Sequence, residues 1–157
     1  MKLSAISRFA LRLGVVAVLV GLCVSRADTQ DPKLKPTFGS VSLKAGFAND
    51  PYVVKVVAGG DIKTNLGGVN AYVAKEPDFR LNYTAGNFAL TIYAESKADT
   101  TLLINLPDGK WIADDDSGGN LNPLLKFEKP ASGQYDIWVG TFGKDTAPAV
   151  LKITELK

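Results

Sequence analysis

Phe79-Arg-Leu-Asn-Tyr-Thr-Ala-Gly-Asn-Phe-Ala-Leu-Thr-Ile-Tyr-Ala94 is the stretch that decides the fold class of this chain. Phe79, Leu81 and Tyr83 alternate with Arg80, Asn82 and Thr84. After an Ala85-Gly86 turn, Phe88, Leu90, Ile92 and Ala94 alternate with Ala89, Thr91 and Tyr93. A strand sends successive side chains to opposite faces, so a period of two marks a half-buried strand; an amphipathic helix repeats every three to four residues.

The same period extends in both directions. Upstream, Val41 and Leu43 alternate with Ser40, Ser42 and Lys44, and Tyr52–Val57 is a β-branched run. Downstream come Leu102, Ile104 and Leu106, then Lys110–Ile112, Leu124–Phe127, Tyr135–Val139 and Val150–Ile153. Turn chemistry separates the runs at Asn49-Asp-Pro51, Gly59-Gly-Asp61, Gly67-Gly68, Pro107-Asp-Gly109, Ser117-Gly-Gly119, Ser132-Gly133 and Gly143-Lys144. No ten-residue segment has helical periodicity. Eight to ten short strands at this spacing predict an all-β fold: an antiparallel β-sandwich or jelly-roll-like barrel, as one domain over residues 38–157.

The N-terminus is a different material. Lys2, Arg8 and Arg12 precede the apolar run Leu13–Val24, and Ser25-Arg26-Ala27 places small residues where a signal peptidase needs them. Twelve helical residues reach only about 18 Å, short of the roughly 30 Å hydrocarbon core, so the run reads as a signal peptide helix over 1–27 and not as a membrane anchor. Residues 28–37, polar with two prolines, read as a flexible leader. The destination is the periplasm or the exterior, and no membrane span remains after cleavage.

Cleavage alters the chemistry that remains. The whole chain carries a formal net charge of +2, but four of its eighteen basic residues and none of its sixteen acidic ones fall within 1–27. The remainder is slightly acidic, which removes the support for a nucleic-acid partner. The single cysteine, Cys23, leaves too, and the chain has no histidine. Activation of a nucleophile by histidine, His/Cys zinc sites and disulfides are thereby excluded. A chain of this size can bury a core without staples, and a monomer is expected.

Asp114-Asp-Asp-Ser-Gly-Gly-Asn-Leu-Asn-Pro123, with Asp108 just before it, concentrates oxygen donors. Asp114, Asp115, Asp116, Asn120 and Asn122 read either as a solvated turn bonded to its own backbone or as ligands for a hard cation such as Ca²⁺. The spacing is not that of an EF-hand: counted from Asp114, Gly118 takes the fifth position and Leu125 the twelfth. Paired carboxylates also suffice for glycoside hydrolysis, although a general acid needs an apolar pocket to lift its pKa. Trp138 faces away from Tyr135, Ile137 and Val139, and packing beneath a neighbouring loop is the favoured reading of an outward tryptophan; Trp111 and Trp138 are the candidates if a ligand stacks there. Asn82-Tyr-Thr84 matches a glycosylation acceptor but reads as ordinary strand.

Three segments together resemble the bacterial pre-peptidase C-terminal domain: Ala98-Asp-Thr-Thr-Leu-Leu-Ile-Asn-Leu-Pro-Asp-Gly109, the Asp114–Pro123 loop, and Pro130-Ala-Ser-Gly-Gln-Tyr-Asp-Ile-Trp-Val139. The leading half, with Pro77–Gly86, looks like small stand-alone exported proteins that carry the same ending. The resemblance implies a secreted β-sandwich, calcium binding in some members, and attachment to polymers or proteins in others. It adds Asp99 to the candidate ion ligands. No catalytic domain accompanies the motifs, so a peptidase activity is not implied, and cysteines expected near Val69 and Ala113 are absent. The expectation is a non-catalytic exported binding module for a polysaccharide or protein. A structural envelope protein and a carboxylate-dependent hydrolase are the alternatives.

Overall fold

A computed structural model describes residues 29–156; the expected signal peptide helix, its cleavage site and Cys23 lie outside the described residues. The described residues form an all-β fold of two sheets with no helix, and none is therefore long and apolar enough to cross a membrane. Eleven strands are present, against the eight to ten expected: β1 (Ser40–Lys44), β2 (Tyr52–Ala58), β3 (Ile62–Leu66), β4 (Val69–Val73), β5 (Phe79–Thr84), β6 (Leu90–Ser96), β7 (Thr100–Asn105), β8 (Trp111–Asp114), β9 (Leu124–Phe127), β10 (Gly133–Thr141) and β11 (Ala147–Thr154). The unanticipated pair is the β3–β4 hairpin around Gly67-Gly68. Its inward positions include Thr64 and Ala71, which blur the apolar alternation. The sandwich is also not wholly antiparallel, because β1 runs parallel to β5.

The smaller sheet has the order β2-β11-β6-β9. The larger one is organised by β10, which has nine residues and changes partner along its length. Gly133–Ile137 pair with β5, Thr141 pairs with Tyr72 of β4, and Asp136–Thr141 pair with β7 on the opposite side. Between the β5 and β4 contacts the ladder would break. Asp78 closes the gap: its amide donates to Ile137 O, and its Oδ2 accepts the Val139 amide at 2.7 Å. A buried amide left unpaired would cost about 1–3 kcal/mol, which is the reason for placing a carboxyl there.

Period two divides β10 between two cores. Tyr135, Ile137 and Val139 join Leu81, Ile92, Leu102, Ile104 and Leu151 between the sheets. Trp138 points the other way, into a smaller core with Ala71, Val73 and Leu103 on the outer face of the larger sheet. Gly140 makes this close packing feasible: a Cβ there would lie 2.4 Å from Thr101 Oγ1 and 2.8 Å from Val73 Cγ1. Part of the segment read as a leader lies along the larger sheet. Asp31 N donates to Lys75 O, Thr37 N donates to Pro77 O, and Arg80 donates to the carbonyls of Pro32 and Leu34. Arg80 is itself held by Asp136 at 2.6 Å.

Candidate functional site

The acidic segment begins where β8 ends, and strand alternation assigns its carboxylates different tasks. Asp114 lies opposite Leu102, whose side chain is in the main core. Its carboxylate accepts from Ser117 N at 3.0 Å, Ser117 Oγ at 2.6 Å and Leu124 N at 2.8 Å. It is the internal tie of the loop. Asp115 is one residue further on and so takes the opposite face, the one that carries Ala113 and Leu103. Continuing the β7–β8 ladder by one pair sets Asp115 against Thr101, and the residue two before Thr101 on that face is Asp99.

Asp99, Asp115 and Asp116 come together there. One carboxylate oxygen from each lies within 4.8 Å of the others. Asp99 Oδ1 and Asp115 Oδ1 are inaccessible to solvent and receive no hydrogen bond, and the fully buried Thr101 Oγ1 is also unpaired. Loss of hydration pushes the Asp115 carboxyl above the usual carboxylate range, and Asp116, Asp99 and Asp114 add repulsion in the same direction. Asp99 rises likewise, first through lost hydration and then through Asp116. Partly buried carboxylates with bare oxygens and like-charged neighbours lack a compensating positive charge.

The other expected ligands are elsewhere or occupied. Asp108 sits in the hairpin turn at the far end of β7–β8, paired with Lys110 at 2.8 Å, and this hydrogen-bonded ammonium lowers its pKa. Asn122 is buried and internally bonded: Oδ1 accepts from Ser96 N and Thr100 Oγ1, while Nδ2 donates to Ser96 O and Asn120 O. It pins the loop to β6 and β7. Asn120 and Leu121 adopt left-handed backbone angles, φ 54° and 58°, as the chain reverses towards Asn122. Trp138 is fully buried, with the Trp111 ring centroid 4.9 Å away, so no ligand can stack on it; Trp111 is half-buried as its cover. Sequence reasoning missed Asp78, an acid flanked by Pro77 and the core residue Phe79.

No protein-family model matches the chain, and no curated protein does. Among solved structures, it is similar to the crystal structure of Aeromonas hydrophila PliG, a periplasmic lysozyme inhibitor of g-type lysozyme. Identity is 13% and the TM-score 0.39, over 74% of this chain and 96% of that one.

Proposed function

We propose that this protein is a non-catalytic exported binding module, for a protein or polysaccharide ligand, whose Asp99–Asp115–Asp116 cluster holds a hard divalent cation such as Ca²⁺. The observation that carries the cation reading is the pair of buried, donor-free oxygens on Asp99 and Asp115. The donor set fits: all are hard oxygens, and ligands sharing one Ca²⁺ at about 2.4 Å can be at most about 4.8 Å apart. The three oxygens meet that limit. A bound cation supplies charge compensation. Asp99 offers its carboxylate from the β7 end, Asp115 and Asp116 theirs from the loop, while Asp114 and Asn122 fix the loop that presents them. Export is supported by the signal-like residues 1–27, and a non-catalytic role by the lack of histidine and the resemblance to attachment domains.

The hydrolase reading is the weaker one. Glycosidase carboxyls flank a bond at about 5–9.5 Å with sugar between them, whereas these three converge on a single point. Thermal unfolding with Ca²⁺ and with EDTA tests the cation reading. Ca²⁺ at a hundred times its Kd adds about 2.7 kcal/mol by mass action, and Asp115→Asn combined with Asp116→Asn removes the gain. Absence of a shift at millimolar Ca²⁺, or an equal shift in the double variant, overturns it.

A further inference from the structure

The outer face of the β3–β4 hairpin carries a second set of side chains that the fold does not use. Lys63 and Tyr72 are direct cross-strand partners on the hairpin's solvent side, opposite to the Ala71 and Val73 that enter the small core. Asn65 and Asn70 are partners one step along, joined by an Nδ2–Oδ1 bond of 2.9 Å that leaves the Asn70 amide available to donate. The β10–β11 turn rises beside them. It presents Phe142, 53% exposed, and Lys144. Lys63, Asn70, Tyr72, Phe142 and Lys144 border a cavity of about 350 Å³.

Phe142 leaves half of a large apolar ring in water. It is one of a few large apolar side chains so exposed among the described residues, and this one stands beside a cavity. Lys63 and Lys144 make no ion pair among the described residues. An exposed ring beside a tyrosine offers flat apolar surface to the C–H face of a sugar, while the amide and two ammonium groups meet hydroxyls and carboxylates. The volume lies at the small end for ligand cavities and suits one or two sugar rings.

We infer that the cleft between Tyr72 and Phe142, flanked by Lys63 and Lys144, binds an acidic glycan through its uronate units. The inference rests on the reading of this protein as a binding module and names the ligand class, but it does not use the cation cluster. Charge complementarity selects the occupant: the cleft offers two unpaired ammonium groups to a ligand whose carboxylates recur along a chain of stackable rings.

The test is titration calorimetry of the whole exported domain with short oligogalacturonates, with methyl-esterified oligomers of equal length as the neutral control. The acidic oligomer is expected to bind at least tenfold more tightly than the ester. Phe142→Ala and the pair Lys63→Gln and Lys144→Gln should each weaken it tenfold or more at unchanged Tm, because these side chains are exposed. Binding that is equal for the ester, or unchanged in Phe142→Ala, overturns the inference, as does the absence of binding. Asp115→Asn with Asp116→Asn should leave oligogalacturonate affinity within twofold. The Ca²⁺ shift read on the same samples then separates failure of the cleft from failure of the cation site.

Discussion

Asp78 and Asp115 are both carboxyls withdrawn from water, and they are treated in opposite ways. Asp78 lies in the seam where β10 exchanges β5 for β4, and its Oδ2 replaces a missing carbonyl for Val139 N. Asp115 lies on the outer face of the larger sheet beside two other carboxylates, with Oδ1 bonded to nothing. A buried acid that completes a backbone ladder is explained by the fold. One that leaves a buried oxygen bare is not explained by the fold. The useful distinction among the sixteen acidic residues is thus oxygen-by-oxygen satisfaction, more than burial or crowding.

The sharpest way to press this contrast is pH. Burial, against the pull of the Val139 amide and with help from Glu76, raises the Asp78 pKa from 3.8 to about 7. The folded state then holds a proton that the unfolded chain releases. The contribution is complete below about pH 4 and declines as pH rises to about 7, in total on the order of 4 kcal/mol. Asp78→Asn keeps an oxygen acceptor and cannot titrate. Its stability relative to the parent should therefore increase by that order between pH 4 and pH 8 in urea unfolding, and a flat difference would falsify the assignment.

Asp114→Ala comes next in size. It strips the acceptor from Ser117 N, Ser117 Oγ and Leu124 N and should cost about 1–3 kcal/mol in chemical denaturation, since two of these are backbone amides. Asp115→Asn is expected to behave differently. Without a divalent cation the variant should melt no lower than the parent, because it loses a desolvated, repelled charge. With Ca²⁺ it should melt lower. A fall in both conditions would class Asp115 with Asp114 as a structural tie. Smallest of all, Asp108→Ala should leave both Tm and the Ca²⁺ shift unmoved, because its only partner is the exposed Lys110 in the same turn.

Much of the fold was legible because strands with one buried face write their period into the sequence. Phe79–Thr84 and Leu90–Ala94 are strands as expected, and Trp138 does face away from Tyr135, Ile137 and Val139. The outward face of β10 was harder to interpret. A tryptophan pointing away from the main core was expected to pack beneath a loop sooner than to stack on a ligand, and it is packed; its cover is the curl of β3–β4 and β8, a second core that no local pattern announces. The hairpin itself was obscured by its small inward residues.

The site was legible only as a composition. Sequence indicated which residues carry oxygen; it did not indicate which oxygens were already engaged. Asp114 and Asn122 are consumed within the loop, and Asp108 is carried to the opposite end of a hairpin. Asp99 and Asp115 are brought to one face by a ladder register that depends on where β7 and β8 pair. That is tertiary information.

The small core has one practical consequence. It contains both tryptophans of the chain, 4.9 Å apart, while the main core holds Tyr83 and Tyr135 in their place. Indole emission from the native protein is therefore a local reporter of the β7–β8–β10 corner, blind to the interior between the sheets. Ala113, in that corner, is two residues from Asp115. Events at the carboxylate cluster thus fall next to a built-in chromophore pair and can be followed through indole emission without a label.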